Sequence, residues 1–417
     1  MKKQYTMAIV NCKEKMYIYI GILIVYVFTV SKSIRLPNDW AEAHWLIGYQ
    51  FGFIKRGLPG ELLRNLTPPQ CDLEIVISVV SLVIFTVMSI AIVMACKSIL
   101  CHKKSFYDDF AILTIFMSSS YVVMSAHLMG YYDHLLILLV FVAFLSKDTF
   151  KYPIIPSFVM TVSFLIHETT LVLSLPIVIF SYVLQRDYVE PRKKIYHIVG
   201  ISFLPFVLLL MIILKNKYFY VNATEIIRHL SHYTFIDNDR STLVAYAIFS
   251  SFGAYLKLFI YNFIPTLILP SFLLKVGIPL FSILYIVWKK ISVPLQQKKK
   301  IFLIYTFIVV SPLVLHAIAT DTSRIWNYPL VVAFMGYLTM KRNDTLNNRY
   351  DSIFVDIVLA ISCFLNLYID LELMDNLVER YEQHVRIISC VIMIGFVIGV
   401  RKFYDKKCYE TKAPQSV

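Results

Sequence analysis

Three short groupings in this sequence combine residue types able to do polar chemistry. Lys55 and Arg56 stand between Gly52, Gly57 and Gly60, where small residues let the backbone approach an anion and a guanidinium supplies a planar two-point donor. His167-Glu168 interrupts an apolar run, and a carboxylate beside an imidazole orients the ring and raises its basicity, as a general base or a metal ligand requires. Asp321-Thr-Ser-Arg324 precedes Trp326 and Tyr328, so that Arg324 can clamp a phosphate through two parallel hydrogen bonds while Asp321 orients it. Two further segments add candidates. Asp39 and Glu42, three residues apart in Asp39-Trp-Ala-Glu-Ala-His-Trp45, share a face if that stretch is helical, with Trp40 and Trp45 resting in a membrane interface. Tyr132 and Asp133 lie in Gly130-Tyr-Tyr-Asp-His134. Each grouping also has a plainer reading as an interface anchor, a hairpin cap or a helix-start ion pair. His229 and His232 read as solvated loop residues, and the acidic stretch Asp370 to Glu382 as a surface helix.

The elements that must position these residues are set by composition. The chain has 417 residues, 58% of them hydrophobic, and a mean hydropathy of +0.67. Apolar runs recur from residue 17 to residue 400, long enough to cross a bilayer and too many for a soluble core. No alternating barrel pattern accompanies them, so the expected fold is all-α and polytopic, because helices satisfy their own backbone in lipid. About twelve spans are expected, near 17–31, 75–96, 110–127, 134–146, 153–167, 169–184, 196–214, 264–288, 301–319, 326–340, 353–369 and 386–400. They form a single membrane domain with two larger loops, about 32–74 and 215–242. The stretch 242–288 admits one span plus a surface helix at 243–259, or three short spans. The first run lacks a small-residue cleavage site and reads as a retained anchor.

The net charge of +13 follows this threading rather than forming a nucleic-acid patch. Basic clusters such as Lys103-Lys104, Arg192-Lys193-Lys194, Lys298-Lys299-Lys300 and Lys341-Arg342 fall at every second connection, which places both termini in the cytoplasm. On the opposite side fall His44, His127, His134, His167, His229, His232, His316 and His384, eight of the ten histidines, together with the groupings above. Ionisable groups at span ends cost a few kcal/mol each if they face lipid, so their sidedness points to a wet, reactive cavity. The seven cysteines are scattered, without disulfide or metal-site spacing. No phosphate-binding glycine loop is present to hold a nucleotide.

This outline of a dozen spans, two dominant outer loops, basic inner loops and outer Arg, His and acidic residues resembles bacterial O-antigen polymerases of the Wzy type. It is also similar to polyprenol-dependent glycosyltransferases with a GT-C-like helical fold. The resemblance is one of architecture: Arg324 and Gly336 are separated by eleven intervening residues rather than the ten of some polymerase loops, and the doubled acidic motif of many GT-C enzymes is absent. It implies a bacterial inner-membrane enzyme acting on its periplasmic face, with an undecaprenyl-pyrophosphate-linked oligosaccharide as substrate, the bilayer as surroundings and a chain-length regulator as a further partner. By that likeness, Asp39 or Glu42 serves the acceptor and Arg56 and Arg324 contact the lipid pyrophosphate. His167 and Glu168 complete the catalytic set, and Lys55, Tyr132, Asp133 and Asp321 the binding set. No cofactor is implied beyond a divalent ion that two or three carboxylates can hold. The rivals are a glycosyltransferase using a polyprenyl-phosphate sugar and a flippase for lipid-linked oligosaccharide.

Overall fold

The computed structural model describes residues 12–101, 106–149, 153–184, 191–218, 223–249, 272–317, 319, 321–346, 353–371, 373–374 and 377–410. The apolar runs fold as helices, and no strand occurs among the described residues. The first half of the chain forms α1 (Cys12–Ser31), α2 (Asp39–Trp45), α3 (Gly57–Leu66), α4 (Leu73–Cys101), α5 (Phe106–Met117), α6 (Ser120–His127), α7 (Asp133–Thr149), α8 (Ile154–Ile166), α9 (Thr170–Leu173) and α10 (Leu175–Val183). The second forms α11 (Pro191–Tyr218), α12 (Ala223–Leu230), α13 (Asn238–Phe249), α14 (Ile278–Lys290), α15 (Leu295–Val310), α16 (Thr322–Arg342), α17 (Ile353–Tyr368) and α18 (Gln383–Glu410).

Among the described residues, six segments are long and apolar enough to cross a membrane: Lys13–Ser31, Leu73–Cys101, Phe106–His127, Arg192–Ile212, Leu295–His316 and Gln383–Lys407. Asp133–Leu145, Ile154–Ile166, Thr170–Val183 and Ile353–Tyr368 are apolar but shorter. Of the twelve crossings expected, six therefore have full length and apolarity among the described residues; four fall short of the roughly 20 residues a straight crossing needs, the 326–340 crossing lies in the 21-residue α16, and 264–288 lies partly outside the described residues. The ambiguous stretch 242–288 is helical in α13 and α14, whereas residues 250–271, which hold Lys257 and most of the expected surface helix, lie outside the described residues.

Burial sorts these helices into a centre and a rim. The apolar window of Phe106–His127 is wholly buried inside the protein, whereas 28% of the Leu73–Cys101 window and 17% of the Arg192–Ile212 window are. Ile75, Phe203, Leu303 and Val391 on the rim are exposed, an apolar surface unsuited to water and suited to lipid chains. In the centre, Phe116 of α5 stacks on Phe334 of α16 with ring centroids 4.1 Å apart. Gly336 of α16 lies against the Tyr305 ring, where a Cβ would stand 2.5 Å from it. Where α5 gives way to α6, the backbone is satisfied from within: Ser118 Oγ donates to Thr114 O at 2.9 Å, and Asn366 donates to Ile115 O at 3.3 Å. Broken helices survive at depth in a bilayer only with such local partners.

Two polar clusters mark opposite ends of the central helices. At one, Asp109 accepts from Lys341 at 2.7 Å, from Lys290 at 3.2 Å and from the Tyr337 hydroxyl, all buried. From Lys341 back to Arg324 the same helix climbs about 26 Å at 1.5 Å per residue, close to the thickness of a hydrocarbon core. At the Arg324 end, the stretch Asp370 to Glu382 is not the surface helix expected. Among its described residues it runs outside regular helix, and it turns Glu379 inward between Lys32, at 2.5 Å, and Lys275. A carboxylate facing two buried ammonium groups gains more there than it would on a solvated helix.

Replacing Asp109 by Ala leaves Lys290 and Lys341 without their shared carboxylate and should cost about 3–5 kcal/mol. The thermal midpoint of the purified protein in detergent measures it. A change below about 0.5 kcal/mol would mean that the cluster does not hold this end of the bundle together.

Candidate functional site

The loop between α1 and α4 builds one wall. Asn38 caps α2, its side chain accepting from the Ala41 N–H at 3.0 Å. Trp45, expected at a membrane interface, is buried instead and donates to Gly130 O at 2.8 Å. Gly130 has a φ of +94°, and a Cβ there would press on Pro37 and Ala41, so glycine is required by both conformation and space. Past a short turn at Tyr49–Phe51, Arg56 takes the left-handed conformation, φ 64° and ψ 12°, immediately before α3. Gly57 and Gly60 do not open the turn to an anion. They let α3 pack tightly, since a Cβ on Gly60 would stand 2.2 Å from Ile47 O and one on Gly57 2.6 Å from the Tyr49 ring.

Held there, Arg56 faces the turn between α8 and α9. Its Nε and Nη2 donate to Glu168 at 3.0 and 2.6 Å, a two-point ion pair, and Lys55 stands 3.6 Å from the same carboxylate. Arg56 Nη1 lies 3.0 Å from His44 Nε2. Because His44 Nδ1 donates to Trp40 O at 2.8 Å, the neutral ring presents Nε2 as the acceptor. Burial, and after it the Arg56 charge, pushes His44 down to about 3, so the ring is neutral at physiological pH. His167 Nδ1 accepts from the Thr169 N–H at 3.1 Å and lies 3.4 Å from Glu168. The neutral His167 ring thus carries its hydrogen on Nε2, and burial holds its pKa well below the usual range. Burial alone would raise the Glu168 carboxyl, but Arg56, with Lys55 beside it, holds it well below the usual carboxylate range.

Arg324 forms a second fork-to-fork pair. Its Nε and Nη2 donate to Asp133 at 2.8 and 2.9 Å, Nη1 to Asp321 at 3.1 Å, and its plane lies 5.0 Å from the Tyr131 ring centre. Tyr328 shares the guanidinium at 2.6 Å. Arg56, His167, Glu168, Asp321 and Arg324 all line one cavity of about 90 Å³, open to its surroundings, whose remaining wall includes Trp40 and Thr169. A smaller chamber of about 20 Å³ shares Trp40, Arg56, His167 and Arg324 with it and adds His44 and Tyr132. The ring of Tyr132 stands edge-on to Trp45, His44 and His167.

Residues distant in sequence are thus brought together, but not all of the candidates. Asp39 and Glu42 line neither chamber. Asp39 accepts from the Asp237 N–H at 3.4 Å, tying α2 to the approach to α13. Glu42 is buried toward Glu74 and Asp39, and burial followed by those two charges pushes it up to about 7. The face that α2 turns to the cavity is Trp40 and His44, a four-residue spacing readable in the sequence but passed over for the acidic pair. Asp133 lies behind Arg324 in a small side pocket. The histidines do not cluster: His134 bonds Ser125, His229 bonds Leu46 O, His232 bonds Arg228 O and His384 is exposed. No group of three His, Cys, Asp or Glu able to hold a metal occurs among the described residues.

A carboxyl raised from 4.5 to about 7 favours the folded state while protonated, so stability falls as pH climbs through that window. Glu42→Gln should therefore raise the thermal midpoint at pH 8 by roughly a few °C and leave it unchanged near pH 4. Lower stability of the variant at pH 8 would contradict this. Gly60→Ala should destabilise by about 1–3 kcal/mol through the clash with Ile47 O, and detergent stability together with yield reads that out.

Set against family models, curated proteins and solved structures, the chain matches none of them.

Proposed function

We propose that this protein is a membrane glycosyltransferase of the polysaccharide-polymerase type, moving glycan from a polyprenyl pyrophosphate onto a lipid-linked repeat unit at the outer face. The single observation that carries the reading is the meeting of Arg56, His167 and Glu168, from two connections, with Arg324, from the first turn of α16, around one cavity at the end of apolar helices. A headgroup can enter there while its polyprenyl tail stays beside the exposed rim. Two planar guanidinium groups suit phosphate oxygens, and their carboxylate partners fix them before substrate arrives.

The rest of the wall suits sugar. Trp40, Tyr131 and Tyr132 offer aromatic faces. Among the described residues, the buried hydroxyls of Tyr132 and Thr169 have no hydrogen-bond partner, and buried polar groups are rarely left so. The sequence contains no nucleotide-binding loop, consistent with a donor delivered on lipid. The topology that goes with this reading puts both termini in the cytoplasm of a bacterial inner membrane and the Arg56–Arg324 end in the periplasm, following the basic inner loops.

Charge balance favours a second reading as well. Lys55, Arg56 and Arg324 face Glu168, Asp133 and Asp321, three cations against three carboxylates. A balanced, partly buried site admits the single charge of a polyprenyl-phosphate sugar at lower electrostatic cost than a pyrophosphate.

Incubating the purified protein with lipid-linked repeat units separates these readings. Long glycans form if it is a polymerase; one added sugar, only from a monophosphate donor, marks the second. No transfer from either donor removes both. Arg56→Lys and Arg324→Lys should each lower turnover by roughly 100-fold or more, because an ammonium cannot reproduce the two-point geometry. Normal turnover in both would show that the cavity is not the reaction site.

A further inference from the structure

The reaction needs a group to take the acceptor proton, and the carboxylates at this end of the bundle differ in what they have left to give. Glu168 is held at both oxygens by Arg56. Asp133 is held the same way by Arg324 and lies behind it. Asp39 and Glu42 line neither chamber. Asp321 lines the large cavity, is about a quarter exposed, and among the described residues is touched through one oxygen only, by Arg324 at 3.1 Å. Its position adds a second observation. Asp321 occupies the N-cap of α16 yet makes no side-chain capping bond, although an aspartate there ordinarily accepts from the second or third N–H of the helix. The carboxylate is turned from the helix it should cap toward the guanidinium and the cavity.

We propose that Asp321 is the base that activates the acceptor hydroxyl, an assignment that rests on the glycosyl-transfer reading above. The acceptor O–H bond breaks and its proton passes to the carboxylate oxygen that Arg324 does not hold. The acceptor oxygen bonds to the anomeric carbon, and the bond from that carbon to the phosphate oxygen breaks with its electron pair staying on phosphate. The charge so formed meets the guanidinium groups of Arg56 and Arg324 and the Nε2–H of His167, all on the same cavity wall. Asp321 then returns its proton to water through its exposed edge. Arg324 holds the carboxylate in place through its Nη1 donor.

The test compares full-length wild type with D321N, D321E and D39N in detergent, using lipid-linked repeat units as donor and acceptor. D321N should lower kcat by roughly 100-fold or more with KM for both substrates within about threefold, and D321E should give an intermediate kcat. If D321N does not fold, D321E decides: reduced kcat at unchanged KM supports the assignment, and unreduced kcat overturns it. The assignment also falls if D321N matches wild type, if its loss lies wholly in KM, or if D39N alone shows the kcat loss. An inactive wild type sinks the glycosyltransferase reading and the assignment with it, whereas an active wild type matched by D321N sinks the assignment alone.

Discussion

Arg324 lies in the first turn of α16, and its buried guanidinium is tolerable only because Asp133, Asp321 and Tyr328 meet its donors. Taking such an ion from water costs several kcal/mol unless geometry and hydrogen bonding repay it. This constraint reaches well beyond one contact. It fixes the start of α16 against the start of α7, and the same logic on Arg56 and Glu168 fixes the approach to α3 against the turn between α8 and α9. Both chambers lie between these two pairs, and Arg56 and Arg324 line each of them. Remove either partner and the remaining charge has no acceptable place, so position and charge are held by one device.

The backbone contributes its own cost. Arg56 adopts a left-handed conformation that non-glycine residues rarely take, and such strain persists only where the surroundings over-determine it. Here they do: Gly57 and Gly60 bring α3 against the Tyr49 ring and the Ile47 backbone, while Glu168 and His44 take the guanidinium. The glycines therefore serve rigidity. A side chain fixed from both ends needs little reorganisation when charge appears beside it, which is the condition for electrostatic catalysis.

Much of this was legible from residue types. Apolar runs gave helices, and the pairing of His167 with Glu168, the Lys55-Arg56 turn and the Asp321–Arg324 spacing each lead to the cavity. What stayed hidden depends on partners far apart in the chain. Nothing local says that Glu168 belongs to Arg56 across 112 positions, or that Asp133 belongs to Arg324 across 191. The acidic pair of α2 misled for a related reason: periodicity says which residues share a face, not which face the neighbours cover. Span number suffered from length. Helices such as α8 and α17 are apolar enough by composition to read as crossings, yet shorter than a straight crossing, so length and composition do not fix the number of spans.

The balanced charges raise a question of how an anion enters, and the answer lies in the shape of arginine. Arg324 presents five N–H groups, and its bonds to Asp133 and Asp321 engage one on each of its three nitrogens. Two remain in the plane, so a phosphate oxygen can be met edge-on without breaking the pair that positions the residue. A lysine in that place would have to choose between its carboxylate and its substrate. The carboxylates are then not competitors of the ligand. They hold the donors in register, and on the proposed glycosyl-transfer reading they would leave an incoming phosphate charge only partly compensated, so that the interaction would strengthen as charge builds on the leaving oxygen rather than being spent on binding the ground state.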